Sequence, residues 1–338
     1  MRQIIATITF AVGLTGLAGT GFAATQYPLT INNCGQQVTF SKAPEKIVSI
    51  GQGMTEVLFS LGLADKIAGT AVWVGPVLPA YAEANSKIKR LADNDPSFEA
   101  VVGEEPDLVA AEFEWHVGVQ GAVGKREQFA DLGINTYVAP ADCVDKINED
   151  GGDGVRKELF TMDLIYQEIA ELAEIFDIKE RGDALIADLK KREADAVASI
   201  SGAAGKNLPV VFWFSSKEVN GDAFIAGKNS APAYILKTIG AKNVVATEEE
   251  WPLVGWETIS QSNPAVIVLA TMERRRYAAD DPQTKIDFLE NDPVTKELDA
   301  VKNRRFVMMD AQSMNPTIRT IDGIETLAAG IKSFGLSQ

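Results

Sequence analysis

The chain has 338 residues, an apolar fraction of 46% and a formal net charge of -15. This length is enough for two domains of ordinary size, and the apolar fraction is typical of a globular protein with a large core. The acidic charge argues against nucleic acid and anionic lipid as partners, because both repel a strongly negative protein.

Residues 1–23 have the pattern of a secretory signal peptide. Arg2 provides the positive start, an apolar stretch follows, and small residues precede a cleavage site after Ala23. A membrane anchor is the alternative, but glycines and threonines interrupt an apolar run that is already short for a span. Cys34 lies well beyond the cleavage site, where it would not carry a lipid. We therefore expect a mature protein that is soluble in the periplasm.

The first half of the mature chain, residues 24–159, alternates short apolar runs with helical patterns. Strands separated by helices predict βαβ units and a parallel sheet. The predicted strands are Lys46–Ile50, Lys66–Gly69, Leu108–Ala111 and Thr136–Ala139, and the predicted helices are Met54–Leu61, Phe98–Val102 and Lys125–Leu132.

Residues 160–199 have a different pattern, with no strand and no internal proline. Apolar residues recur there at helical spacing, at Leu164, Ile165, Ile169, Leu172, Ile175 and Phe176. A long connecting helix, continuous or broken near Ile178–Gly182, fits this segment.

The α/β pattern resumes in residues 200–338 and repeats the first half. Glu99 stands seven positions before Pro106 and a strand follows; Glu257 stands seven positions before Pro264 and another strand follows. The fold class is therefore α/β, with two Rossmann-like lobes of parallel sheet joined by one backbone helix. A cleft between such lobes, at the carboxyl ends of parallel strands, is a favoured ligand site.

The chain contains two cysteines, Cys34 and Cys143. In an exported protein an even pair suggests a disulfide bond, with two free thiols as the alternative. Because both residues precede position 150, a bond between them would constrain the first lobe only.

Several segments together resemble one family, the periplasmic binding proteins of ABC transporters for iron-siderophores, haem and cobalamin. They are Ile47–Ile50 with Thr55-Glu56 and Leu61–Ala64, Phe98–Ala100 with Glu105–Val109, and Trp251-Pro252 with Trp256-Glu257. The resemblance covers most of the mature chain from about Ala43. It implies the helical-backbone (class III) fold, a monomer, and partnership with an inner-membrane ABC permease and its ATPase.

The resemblance also implies that one glutamate on each lobe binds arginines of the permease. By matching motif these are Glu99 and Glu257, and charge pairing of this kind steers docking. The alternative is that each glutamate only complements the dipole at the start of a helix.

An arginine triplet, Arg274 to Arg276, follows the predicted strand Val266–Ala270. Bidentate bonds from Arg274 and Arg275 would suit an anionic ligand such as a ferric chelate. The alternative is a solvated loop in which the arginines pair with nearby acids such as Asp280 and Asp281.

Aromatic residues near strand ends form a second set of ligand-binding candidates, because flat rings cover large planar ligands. They are Trp73, Trp115, Trp213, Trp251 and Tyr277, and His116 is added as a polar neighbour of Trp115. His116 and Tyr277 are also weak candidates for direct iron ligation. One histidine in the whole chain argues against a dedicated metal cage, and we expect no cofactor.

The sequence favours a transport binding protein whose ligand is a ferric siderophore. Haem, cobalamin or a small oxyanion in the same role, or a ligand sensor, remain alternatives. An exported enzyme is disfavoured, because the chain has no glycine-rich phosphate loop, no Gly-x-Ser-x-Gly elbow and no histidine near a nucleophile.

Overall fold

The computed structural model of the protein describes residues 24–148, 154–200 and 207–336. The predicted signal peptide lies outside these residues. Within the described ranges no helix is both long and apolar enough to cross a membrane.

The first lobe is built on a five-stranded sheet in which every strand is parallel to its neighbours, in the order β5-β4-β3-β6-β7. Two small antiparallel hairpins, β1-β2 and β8-β9, stand outside it. The strands are β1 Leu29–Asn33, β2 Gln36–Phe40, β3 Ile47–Ile50, β4 Ile67–Ala71, β5 Lys89–Ala92, β6 Leu108–Ala111, β7 Asn135–Val138, β8 Lys146–Ile147 and β9 Val155–Arg156. The helices are α1 Gln52–Ser60, α2 Ala82–Ser86, α3 Phe98–Val102, α4 Glu114–Val117 and α5 Arg126–Asp131.

Two helices, α6 Asp163–Ile175 and α7 Lys179–Ser199, connect the lobes. The predicted connecting helix is thus interrupted at residues 176–178, where Asp177 has a φ of 55°. Gly182 in α7 lies against α6, so closely that a Cβ there would be 2.5 Å from the Cβ of Ala173. The break allows the two helices to pack on one another.

The second lobe has a six-stranded sheet in the order β13-β11-β10-β14-β15, with β12 also paired to β10. Its strands are β10 Pro209–Ser215, β11 Ala223–Ile225, β12 Lys242–Asn243, β13 Leu253–Val254, β14 Val266–Thr271 and β15 Phe306–Asp310. Its helices are α8 Ala231–Ile239, α9 Trp256–Gln261, α10 Pro282–Asn291, α11 Asp299–Lys302 and α12 Thr320–Ser333. Short 3-10 turns elsewhere in the chain are Ala64–Lys66, Pro79–Tyr81, Pro140–Asp142, Ala278–Asp280, Thr295–Glu297 and Ala311–Met314.

The second sheet corrects one detail of the prediction, because it is mixed rather than wholly parallel. Strands β12, β14 and β15 belong to parallel pairs, whereas β11 is antiparallel to both β10 and β13. Only residues 216–222 separate β10 from β11, and so short a connection can return the chain only in the antiparallel direction. The α/β fold of two lobes is otherwise as predicted.

One hydrophobic cluster runs through both lobes and the helices between them. It includes Leu58 of α1, Ile169 of α6, Leu189 of α7, Ile235 of α8 and Leu327 of α12, all at most 1% exposed. Because this core is shared, both lobes pack against the same pair of helices, α6 and α7. This packing fixes the position of one lobe relative to the other.

The predicted disulfide bond between Cys34 and Cys143 is present, with the two Cα atoms 5.6 Å apart. It ties the β1-β2 hairpin to the turn after β7. Asn33 reinforces this junction, since its side chain donates to the carbonyl of Val138 (2.8 Å) and accepts from the Val138 N–H (2.8 Å).

Candidate functional site

The carboxyl ends of the parallel strands of both lobes converge on one boundary. Val74, which follows β4, accepts backbone hydrogen bonds from Glu273 and Arg274, which follow β14, at 3.1 Å each. Gly75 lies beside the Asp310 carboxylate at the end of β15, since a Cβ on Gly75 would be 3.4 Å from Asp310 Oδ2. This boundary, called the cleft below, is where α/β proteins of this kind bind ligands.

A buried ion pair crosses the cleft between Glu56 in α1 and Arg319, just before α12. Arg319 Nε donates to Glu56 Oε2 at 2.6 Å, Nη2 donates to Oε1 and, at 2.8 Å, to the Pro76 carbonyl. Arg319 Nη1 also lies 3.2 Å from Asp310. Burial raises the pKa of Glu56, while the Arg319 guanidinium opposes that rise. The bidentate geometry and the extra bonds satisfy a charge pair that would otherwise be costly to bury.

Gln52 extends this contact within the first lobe. Its side-chain oxygen accepts the N–H groups of Val74 (3.2 Å) and Gly75 (3.1 Å), and its nitrogen donates to the Pro76 carbonyl (3.0 Å). The loop after β4 is therefore held rigidly in the position from which it contacts the second lobe.

The arginine triplet divides between two roles. Arg274 crosses the cleft, and its Nη1 donates to the Asp93 carbonyl (3.0 Å) and to Asn94 Oδ1 (2.7 Å). Burial, together with repulsion from Arg276, lowers the pKa of Arg274. Arg275 instead pairs with Asp281 in its own loop at 2.6 Å. Of the two predicted arginines, only Arg274 thus lies at the cleft, while Arg275 matches the solvated alternative.

His116 lies beside the same part of the cleft. It is buried, its Nε2 is 3.1 Å from Asp95 Oδ1, and this bond lowers the pKa of Asp95. Its Nδ1 has no hydrogen-bond partner among the described residues. Trp115, the preceding residue, is 45% exposed, which makes it the most accessible tryptophan of the predicted set.

The remaining aromatic candidates are spread over the molecule. Trp73 is nearly buried after β4, under the Arg90 guanidinium (4.6 Å to the ring centroid) and next to the cleft residue Val74. Tyr277 is half-buried in the loop after β14, and its backbone N–H donates to Asp280 Oδ2 (3.0 Å). Trp251 is half-buried and packs on Phe214, with ring centroids 4.8 Å apart.

Trp213 is not at the cleft. It is fully buried in the second lobe, edge-on to Trp256 with ring centroids 4.7 Å apart, and its indole N–H donates to Ser216 Oγ at 2.8 Å. Its position late in β10 had suggested a ligand contact, but the period-two alternation of the strand turns this side chain into the core. Trp213 is a core residue here.

Two buried carboxyl groups lie near the cleft without a cationic partner among the described residues. Burial, with repulsion from Glu56 and Asp142, raises the pKa of Glu112, directly after β6, to about 8. Burial, with repulsion from Glu112, raises the pKa of Glu168 in α6 to about 8. Glu112 Oε2 accepts the Gly53 N–H at 2.7 Å, at the start of α1. These acids are held largely in their neutral form at pH 7.

A second charged cluster joins the lobes near the disulfide. Lys146 lies 2.5 Å from Asp142 and 2.9 Å from Glu250, and Arg156 lies 2.9 Å from Glu250. All four side chains are at most 6% exposed. Because Glu250 comes from the second lobe, this alternating set of charges fixes the crossover of the chain between the lobes.

Glu99 and Glu257 occupy equivalent places on the two lobes. Each is exposed in the first turn of a short helix, α3 or α9, that leads into the strand beside the central one, β6 or β14. Neither forms an ion pair with another described residue.

Most of the polar residues at the cleft were not predicted from the sequence. These are Gln52, Glu56, Glu112, Asp310, Gln312, Thr317 and Arg319. Glu112 and Asp310 had a usable signal, since each stands at or directly after the end of a parallel strand. Arg319 had none, because it lies nine residues beyond β15 and its partner Glu56 is on the other lobe. Across the described residues there is no group of three or more His, Cys, Asp or Glu that would hold a metal ion.

The buried carboxyl groups lead to a prediction about stability. The folded state holds protons on Glu112 and Glu168 up to about pH 8, whereas the unfolded chain loses them near 4.5. Each protonated group therefore adds on the order of 4 kcal/mol to the free energy of unfolding. This contribution is fully present below pH 4.5 and is lost as the pH rises to 8. Glu168→Gln should reduce the loss of unfolding free energy between pH 5 and pH 8, as measured by urea unfolding at the two pH values.

The control for this prediction is Glu174→Gln, an exposed glutamate in the same helix. It should leave the slope unchanged. An equal slope in wild type and Glu168→Gln would show that Glu168 is ionised in the folded protein at neutral pH.

The chain matches the periplasmic binding protein family over residues 47–313, which span both lobes and the cleft. It therefore belongs to that family. Members of this family are the small-molecule-binding components of ABC transporters.

Individual relatives agree with this assignment. An uncharacterised ABC transporter substrate-binding lipoprotein of Bacillus subtilis is 26% identical over 307 residues, covering 90% of this chain and 86% of the relative. A solved structure from Saccharomonospora viridis, described as an ABC-type Fe3+-hydroxamate transport system, is 27% identical with a TM-score of 0.70, covering 90% and 99% of the two chains. A periplasmic binding protein from Veillonella parvula shares the fold, at 24% identity and a TM-score of 0.75, covering 93% and 99%.

Proposed function

We propose that this protein captures a ferric siderophore in the periplasm and delivers it to an inner-membrane ABC permease and its ATPase. The observation that carries the proposal is the cleft, where polar groups from the strand ends of two lobes meet. The iron ligand is supported by the 27% identity to the Fe3+-hydroxamate transport protein over nearly the whole length of both chains.

Ligand capture would use the part of the cleft around Arg274. Trp73 and His116, both buried, lie on the first lobe near this arginine, and Trp115, which precedes His116, is 45% exposed. A chelate placed there would contact the Arg274 guanidinium and the exposed Trp115 ring. The contacts of Arg274 with Asp93 and Asn94 occupy this part of the cleft. A ligand that enters would replace them.

Delivery would use Glu99 and Glu257 as the two docking carboxylates. Both are exposed and free of ion pairs within the described ranges, and equivalent positions on two similar lobes suit a permease with two-fold symmetry. We propose that the protein acts as a monomer in this role.

The ligand assignment is tested by tryptophan fluorescence of the purified mature protein. Saturable quenching is expected with a ferric trihydroxamate, and weaker or no quenching with haem, cobalamin and the iron-free siderophore. Arg274→Ala should weaken binding by roughly tenfold, the usual cost of losing a charge-assisted contact.

Arg275→Ala serves as the matched control, because its side chain pairs with Asp281 outside the cleft. It should bind as the wild type does. Saturable quenching by haem or cobalamin instead of the ferric chelate would contradict the proposed ligand and leave the transport role standing.

A further inference from the structure

The cleft contains two buried oxygen atoms that lack a hydrogen-bond partner in the described part of the chain. One is Oε1 of Glu112 on the first lobe, and the other is Oε1 of Gln312 on the second lobe. The two residues are 5% and 2% exposed. A buried oxygen without a partner is costly, so such atoms are rare in folded proteins and mark places where a partner binds.

Both residues lie against Thr317, at the contact between the lobes. A Cβ on Gly53 would be 3.1 Å from Glu112 Oε1 and 2.7 Å from Thr317 Cγ2, which places that oxygen beside the second lobe. Thr317 Oγ1 donates to the Gln312 carbonyl at 2.8 Å. Glu112 and Gln312 are called the acceptor pair below.

The surroundings of the acceptor pair are acidic. Glu56 from α1 and Asp142 from the turn after β7 act on Glu112 electrostatically, and Glu112 in turn acts on Glu168 from α6. Arg319 balances Glu56, and Lys146 balances Asp142, whereas Glu112 and Glu168 form no ion pair with a described residue. If either of these two groups ionises, its negative charge is therefore left without a cation from the described part of the chain.

The acceptor pair offers oxygen atoms and an ionisable carboxyl group, so it would bind a cation that carries hydrogen-bond donors. A bare metal ion is a poor fit, because the described residues contain no cluster of three or more metal-binding side chains. An ammonium group fits better, since it has three donors and one positive charge.

We propose that the acceptor pair binds an ammonium group of the ligand, so that the protein prefers chelates that carry a free amine. This inference rests on the proposed function and refines it by naming the chemical class of the ligand. The Glu112 carboxylate supplies the charge, and Gln312 supplies a second acceptor from the other lobe.

Ammonium binding is linked to proton release. The folded protein without ligand keeps Glu112 mostly protonated at pH 7, whereas a bound ammonium favours the carboxylate. Up to one proton should therefore leave on binding near pH 7, and affinity should rise as the pH increases toward 8.

The test compares two ferric trihydroxamates that differ only in the terminal amine, free in one and acetylated in the other. Calorimetric titration at pH 7 should show the amine form binding roughly tenfold tighter or more, as expected for a charge-assisted contact. Titration in buffers of different ionisation enthalpy should show proton release with the amine form alone.

Glu112→Gln should abolish the preference for the amine form and the proton release. Glu114→Gln is the control, because Glu114 lies two positions along the chain, at the start of α4, and its carboxylate is already bound by Asn148 (3.0 Å). Unchanged thermal unfolding of both variants would show that they fold.

Equal affinity of wild-type protein for the two chelates would overturn the inference and leave the proposed function intact. A preference that survives in Glu112→Gln would also overturn it. Failure of both chelates to bind would instead contradict the proposed function.

Discussion

The Glu99→Ala/Glu257→Ala double variant is expected to bind its ligand as the wild type does and to lose delivery to the permease. Both carboxylates are exposed and form no ion pair with a described residue, so we expect their removal to leave the ligand contacts untouched. Two lost charge pairs at a docking interface would lower the affinity for the permease by roughly a hundredfold. Uptake of labelled ferric chelate in cells carrying the double variant measures this loss.

A matched control separates docking from loss of helix stabilisation. Glu127 and Glu180 are also exposed glutamates in the first turn of a helix, α5 and α7. The Glu127→Ala/Glu180→Ala variant removes the same charge and the same number of helix-dipole interactions as the Glu99→Ala/Glu257→Ala variant does. It should transport normally. Normal uptake by the Glu99/Glu257 variant would show that the two glutamates only stabilise their helices.

Removal of the disulfide is expected to cost about 4 kcal/mol of unfolding free energy. The bond joins residues 109 positions apart, and in the chain-entropy model a loop of that length stabilises the folded state by about 4–5 kcal/mol. The Cys34→Ser/Cys143→Ser variant, compared with wild type by urea unfolding, measures this cost.

The hydrogen bonds of Asn33 to Val138 hold the same junction, and they should persist in the serine variant. Ligand affinity is then expected to stay unchanged, because the bond lies outside the cleft. A loss below about 1 kcal/mol would mean that the unfolded chain already brings the two cysteines close together.

The lobes of this protein were predictable because their signals are local. Strands such as β6 and β14 are short apolar runs between helical patterns, and the spacing from Glu99 to Pro106 recurs from Glu257 to Pro264. Strand β11 was missed, because Ala223–Ile225 is too short for a period-two pattern. Its antiparallel direction follows from the tight return after β10.

The cleft was harder to predict because its contacts join distant parts of the chain. The Glu56–Arg319 pair spans 263 positions, and nothing near either residue indicates the other. Arg274 was found because it follows a strand end, whereas Trp213 was misplaced because a strand-end position does not reveal which face a side chain takes. Tertiary packing, which the sequence does not reveal locally, places Arg274 at the cleft and Trp213 in the core.

The central claim is that an iron chelate binds between the two lobes. Crystals of the protein grown with a ferric trihydroxamate, measured at the iron absorption edge, locate the iron directly. One anomalous peak is expected in the cleft, within reach of Arg274 on one side and Glu112 on the other. A peak outside the cleft, for instance in the roughly 800 Å³ cavity lined by Cys34, Cys143 and Gln167, would contradict the account.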